Sequence, residues 1–173
     1  MNDPCRVFIA LWPDETTRAA LDQQAQRLDG PGRPVPTAHL HLTLAFAGTI
    51  PTTQAQCIAQ RLDTLGGEAL SIVLDRLGYF EGARVSWIGP AETSPALEDL
   101  AGQARGLVRA CGAPIEERAF RPHVTLRRFA RQPGREQPES PIHWHADEVA
   151  LIESGQGGIP GRYRVLARTR LSS

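Results

Sequence analysis

Two tetrapeptides constrain this chain more than any other feature: His41-Leu42-Thr43-Leu44 and His123-Val124-Thr125-Leu126. Both read H-x-T-L, and one falls in each half of the 173 residues. In each half the pattern helix, proline-containing stretch, strand leads into the motif. A chemistry-bearing pattern recurring on equivalent elements predicts a duplicated unit, with its residues related by a pseudo-twofold axis. The expectation is one domain over residues 1–173, made of two lobes that each contribute one motif.

The period of two in a strand decides what each motif presents. His41 and Thr43 share one face, and Leu42 and Leu44 the other. His123 and Thr125 are set against Val124 and Leu126 in the same way. Each motif thus shows an imidazole beside a hydroxyl and anchors them through an apolar back. A single histidine in a strand is more often structural than catalytic. Two copies on matching elements, in a chain with only five histidines, favour function.

The chemistry follows from the groups. An imidazole titrates near pH 6.5, so of two facing imidazoles one can be neutral and the other protonated. The neutral ring takes a proton from water or an alcohol. The protonated ring gives one to a leaving oxygen. The threonine hydroxyls can donate to non-bridging phosphate oxygens. Neither a nucleophilic side chain nor a metal is needed, and cleavage of a phosphodiester with an alkoxide leaving group suits this equipment.

The charge pattern supports that reading. Formal net charge is zero, with 19 basic and 19 acidic residues. Every basic residue is arginine, which excludes lysine Schiff-base, P-loop and kinase chemistry. Neutral charge argues against a protein that coats duplexes but leaves room for a local basic groove. Arg118, Arg121, Arg127, Arg128, Arg131 and Arg135 surround the second motif without an intervening acid. For Arg131 and Arg135 a solvated loop is the simpler account. Strict alternation puts Arg127 on the face of His123, and Arg128 faces the other way unless the strand bulges. One of the two is expected to clamp the phosphate bidentately.

The rest of the chain reads as mixed α+β. Strands are expected at 6–11, 39–46, 71–77, 85–88, 120–129, 142–152 and 163–171. Helices are expected at 14–28, from Thr52 or Thr53 to Leu65, and at 95–110. Asp14 caps the first helix, with Ala19, Leu21, Ala25 and Leu28 turned inward. Leu97, Leu100, Ala104, Leu107 and Val108 line the third. A glycine-rich loop spans 155–161. Apolar residues make up 41% of the chain and charged residues 22%, so a core can form without disulfides or metal. No apolar run approaches a membrane span, and the N-terminus reads as a first strand, not a signal peptide. Cys5, Cys57 and Cys111 are odd in number, far apart and outside any CxxC, which suggests reduced thiols in the cytoplasm. His143-Trp144-His145 is an H-x-H pair that could hold zinc with His39, but an exposed strand with Trp144 inward is the better reading. Phe46, Phe129 and Tyr163 are candidates for core, cleft wall or base stacking.

At RVFIALWPDE, LHLTLAFAG (40–48), FRPHVTLRRF (120–129) and LIESGQGGIPGRYRVLARTRL (151–171) the chain resembles the 2H phosphoesterase superfamily. Within it, the chain is similar to bacterial and archaeal RNA 2′,3′-cyclic phosphodiesterases, also called 2′-5′ RNA ligases. The resemblance implies a bilobal α+β fold with antiparallel sheets flanking a cleft and helices outside. It implies metal-independent, cofactor-free opening of RNA 2′,3′-cyclic phosphates to 2′-phosphomonoesters, with weak ATP-independent 2′-5′ joining of RNA such as tRNA halves. It assigns His41 as acid at O3′, His123 as base on water, and Thr43 and Thr125 to the phosphate. The family pattern H-x-T-L-x-R places its arginine at Arg128, whereas alternation alone selects Arg127. His39 stands where the family often has asparagine. The partners implied are RNA with cyclic phosphate ends or small cyclic nucleotides, with no membrane, and the protein is expected to be a monomer. Two other readings stay open: the same chemistry on small nucleotides or 2′-5′ oligonucleotides, and a non-catalytic RNA- or nucleotide-binding module.

Overall fold

A computed structural model describes residues 3–155 and 161–173. Residues 156–160 of the expected glycine-rich loop lie outside the described residues. The strands are β1 (Pro4–Leu11), β2 (Arg33–Pro34), β3 (Leu42–Pro51), β4 (Leu70–Leu74), β5 (Arg76–Phe80), β6 (Val85–Gly89), β7 (Val124–Arg128), β8 (Ile142–Ala146), β9 (Glu148–Ser154) and β10 (Tyr163–Arg170). The helices are α1 (Glu15–Arg27), α2 (Thr52–Arg61) and α3 (Pro95–Ala110).

An eight-stranded sheet runs β10-β9-β1-β3-β7-β6-β5, with β2 added beside β7. All its pairs are antiparallel. Two halves meet where β3 touches β7, at the pair Leu42↔Val124. The middle residues of both H-x-T-L motifs are therefore neighbours. A second sheet pairs β4 with β8.

Alternation sorts β1 into two faces. Val7, Ile9 and Leu11 join the main core with Leu21 and Ala25 of α1, Ile58 of α2 and Leu97 of α3. Phe8 and Ala10 face the other way, with Ala150, Ile152, Trp12, Tyr163 and Val165. The helices thus cover one face, and the motif side chains occupy the other.

Local signals explain most elements. Asp14 caps α1 by accepting from the Thr17 amide at 2.7 Å. Ser94 caps α3, accepting from the Leu97 amide at 3.1 Å. Gly112, with φ of 83°, ends α3. All five residues expected on the inner side of α3 are buried. On α1 Ala19 is exposed, contrary to expectation, while Thr17 and Gln24 are buried.

Other boundaries differ for physical reasons. The expected strand at 71–77 is two strands, split at Asp75 and shared between the two sheets. The strand at 142–152 is likewise split, at Asp147. The expected strand at 120–129 keeps only 124–128, because Pro122 has no amide to pair and Phe129 turns to φ of 53°. Residues 37–39 form a 3-10 turn, so His39 and His41 precede β3.

The cysteines correct the sequence reading. Cys57 of α2 and Cys111 at the end of α3 form a disulfide, with Cα atoms 5.7 Å apart. Only Cys5 is free. Chain separation hid this pair, since the packing of α2 beside α3 brings the two sulfurs together.

Candidate active site

Each motif histidine is oriented by the same local device. His41 Nδ1 lies 2.7 Å from the carbonyl oxygen of His39, and His123 Nδ1 lies 2.7 Å from that of Arg121. A carbonyl only accepts, so Nδ1 carries the proton in both rings. Nε2 is left with its lone pair, the atom that general acid–base chemistry uses. Thr43 Oγ1 is 3.1 Å from His41 Nε2 and donates to it in the neutral ring.

The pair Leu42↔Val124 sets the rest. One residue to either side in that antiparallel register, His41 falls opposite Thr125 and Thr43 opposite His123. Leu42 and Val124 are fully buried behind them. All four motif side chains therefore share one face at the junction of the two sheet halves.

Aromatic rings wall both imidazoles. Phe8 stacks on His41 with centroids 4.6 Å apart, and Tyr163 meets it edge-on at 5.8 Å. Trp12 lies 6.2 Å away, inclined by 23°. On the other side Phe80 presents its edge to His123 at 4.8 Å, and Trp87 stands at 6.1 Å. Trp87 lies over Gly78, where an added Cβ would meet the indole at 2.0 Å, so glycine is required beneath it. His39 turns to the same face but stacks on Tyr163 at 4.2 Å.

Backbone bulges place the arginines. Opposite β6, Ser86 pairs with Arg127 and Trp87 with Thr125, so Leu126 is the extra residue. Opposite β1, Ile9 pairs with Ala45 and Ala10 with Thr43, so Leu44 is the extra residue. The two motifs bulge at the same leucine, and a bulge re-aims the residues after it. Arg127 turns back toward α1. Its guanidinium donates to the carbonyls of Ala25 at 3.2 Å, Gly30 at 3.4 Å and Gly32 at 2.9 Å. Arg128 is exposed, and its charge bears on His41 and His39. The alternation that favoured Arg127 fails because the strand is not regular there. The counterpart of Arg128 in the first motif is Phe46, 40% exposed, beneath the Arg6 guanidinium at 4.8 Å.

Burial sets the electrostatics. It holds His41 at about 4; the hydrogen bond to the His39 carbonyl opposes that, while His123, Arg128 and Arg18 reinforce it. His123 is also lowered, by burial first and by Arg118, against the bond to the Arg121 carbonyl. His39 is lowered by burial, Arg128 and Arg18. At neutral pH both motif rings of the free protein are neutral, and a bound phosphate anion acts in the opposite sense on each.

Of the aromatic walls the sequence reading offered Tyr163 as a candidate and missed Phe8, Trp12, Phe80 and Trp87. Phe8 sits in an apolar run that reads as core, although its alternation with Val7 and Ile9 marks it as facing the other way. Trp87 and Phe80 needed the cross-strand register. His143 and His145 are exposed on β8, with Trp144 buried between them. Among the described residues no group of three or more His, Cys, Asp or Glu is disposed to hold a metal ion.

The family model of the 2′-5′ RNA ligase superfamily matches residues 12–158. The chain belongs to that superfamily. The RNA 2′,3′-cyclic phosphodiesterase of Escherichia coli is 30% identical over 134 residues, 76% of this chain and 76% of that one. The protein of the same name from Thermus thermophilus is 32% identical over 163 residues, 86% of this chain and 81% of that one. The fold is similar to that of E. coli LigT in its apo form, with a TM-score of 0.85 at 27% identity and 99% coverage of both chains. A LigT structure complexed with 3′-AMP matches with a TM-score of 0.82 at 27% identity, covering 99% of this chain and 100% of that one. The mixed α+β, antiparallel architecture expected of this superfamily is the one found.

Proposed function

We propose that this chain opens 2′,3′-cyclic phosphates at RNA ends to 2′-phosphomonoesters, using His41 and His123 as an acid–base pair and no metal. The observation that carries the reading is the convergence of two identically oriented Nε2 atoms on one face of the β3–β7 junction. The superfamily's curated relatives, named for this hydrolysis, support it. We further read the fold as two pseudo-symmetric lobes in one domain, since both motifs share the carbonyl-held imidazole and the bulged leucine.

In the reaction, His123 takes a proton from water, the oxygen attacks phosphorus, and the P–O3′ bond breaks. His41, protonated on Nε2 in the complex with the phosphate anion, delivers that proton to O3′. Thr43 and Thr125 donate to the non-bridging oxygens, and Arg128 balances the charge that builds on them. The acid and base assignment follows the family pattern. Arg127 is spent on carbonyls and takes no part. With a 5′-hydroxyl in place of water as the attacking group, the same breaking of P–O3′ would join two RNA ends through a 2′-5′ linkage without ATP.

RNA ends, tRNA halves among them, are the substrate class, and a monomer suffices because one chain supplies both histidines. Among the described residues no helix is long and apolar enough to cross a membrane. The Cys57–Cys111 bond weighs against a uniformly reducing compartment.

The test is incubation in EDTA with a short RNA bearing a 2′,3′-cyclic phosphate, beside the cyclic mononucleotide, with the product mapped. The expected product is the 2′-phosphate, formed faster on RNA. A 3′-phosphate product would overturn the leaving-group assignment, and faster turnover of the mononucleotide would move the substrate to small nucleotides. A folded protein inert on both would leave a binding module.

A further inference from the structure

His41 is presented by a segment that the sheet does not hold. Leu40 and His41 precede β3, and residues 37–39 form an isolated 3-10 turn. The turn matters because the His39 carbonyl receives the His41 Nδ1 proton. Any drift of that carbonyl rotates the ring and moves Nε2.

Tyr163 of β10 stacks on the His39 ring, but the side chain that hydrogen-bonds to the backbone of this turn comes from α1. Arg18, in the first turn of α1, donates through Nη1 to the carbonyls of Thr37 at 2.7 Å and Leu40 at 2.9 Å. These two carbonyls bracket His39. Its Nε donates to the Pro13 carbonyl at 3.1 Å, and its guanidinium lies 4.5 Å above the Trp12 ring. The end of β1 and the approach to His41 are thereby tied through one planar, rigid fork, which a lysine could not reproduce. Nη2 is buried and has no hydrogen-bond partner among the described residues. The second motif repeats the arrangement more loosely: Arg105 of α3 donates to the carbonyls of Glu116 at 2.7 Å and Arg118 at 3.3 Å, on the exposed segment that leads to His123.

We propose that Arg18 is the positioning residue for His41: by holding the Thr37 and Leu40 carbonyls it fixes the His39 carbonyl that orients the imidazole, and so sets Nε2 for proton transfer. This rests on the proposed role of His41 as a general acid. The charged and titratable groups that face His41 are His123, Arg128, Arg18 and Tyr163, beside the His39 carbonyl, and those that bear on Arg18 are Glu148, Arg168 and Asp14.

The experiment compares Arg18→Met and Arg18→Lys with the wild type by kinetics, thermal unfolding and NMR titration of the His41 ring. In Arg18→Met kcat should fall roughly 10- to 100-fold while KM stays within about threefold. The His41 ring should titrate at higher pH, because a facing cation is gone. In Arg18→Lys the charge remains, so the titration should move little, yet kcat should still fall because an ammonium has no counterpart of the Nε bound to the Pro13 carbonyl and is not held in the plane that reaches the Thr37 and Leu40 carbonyls. A cooperatively unfolding Arg18→Met with kcat within about twofold of wild type would overturn the proposal. If that variant does not fold, Arg18→Lys decides: a lowered kcat at an unchanged thermal midpoint supports the proposal, and wild-type kcat overturns it. If the wild type itself does not open cyclic phosphates, the functional reading fails. The positioning proposal is then judged on the ring alone: a displaced His41 signal in Arg18→Lys supports it, and an unmoved one overturns it.

Discussion

At the scale of the residue, the proposed two-histidine chemistry predicts a defined pH dependence. On that proposal, catalysis needs one ring neutral and the other protonated. Because kcat/KM reports the free enzyme, its maximum lies between the two free-enzyme values, whichever ring is the acid. His41 is held at about 4, and His123 lies below its ordinary 6.5. The expected profile is a bell with its maximum below pH 6.5, losing activity as pH falls through about 4 and again as it rises toward neutrality. The kcat profile should sit at higher pH, since the bound phosphate anion favours the protonated rings. Rates at subsaturating and saturating RNA from pH 3.5 to 8 check both. A kcat/KM that keeps rising to pH 8 would contradict the burial argument. The arginines divide at the same scale. Arg128→Met should lower kcat/KM by roughly 10²-fold or more, with little change in thermal midpoint. Arg127→Met should destabilise the fold by about 1–3 kcal/mol through its lost carbonyl contacts, while activity per folded molecule holds, as urea unfolding and turnover would read.

Elements show where the sequence was legible. Helix α3 could be placed because capping serine, N-terminal proline, apolar spacing and terminating glycine all agree along its length. The motif faces could be read because a strand alternates whatever its neighbours are. Arg127 and Arg128 could not be told apart, because the bulge at Leu126 arises only against β6. The split strands were unreadable for a similar reason: Asp75 and Asp147 mark changes of partner, which are tertiary facts. The disulfide also depends on a contact between elements, α2 with the end of α3. It closes a loop across a sequence separation of 54, for which chain entropy gives about 4 kcal/mol of stabilisation. Cys57→Ala with Cys111→Ala, or reduction, should therefore lower stability by about 2–4 kcal/mol in urea unfolding. The active face lies across the sheet from this bond, so turnover well below the midpoint should be retained. An unchanged midpoint would show that the two cysteines are not bonded in solution.

For the whole molecule, the sheet is what makes the site. On the proposed mechanism neither half acts alone, because each supplies one imidazole and one threonine. The helices on the far face hold β3 and β7 together through Leu42 and Val124, and the aromatic walls keep both rings dry enough to stay neutral. No part of this scheme employs a metal, so turnover in EDTA should match turnover in untreated buffer. The most direct test of the central claim is single-turnover cleavage of an RNA 2′,3′-cyclic phosphate by wild type, His41→Ala and His123→Ala, all in EDTA. Each variant should unfold cooperatively like the wild type and react about 10²-fold more slowly or worse. A folded variant of either histidine cleaving at close to the wild-type rate would contradict the two-histidine account.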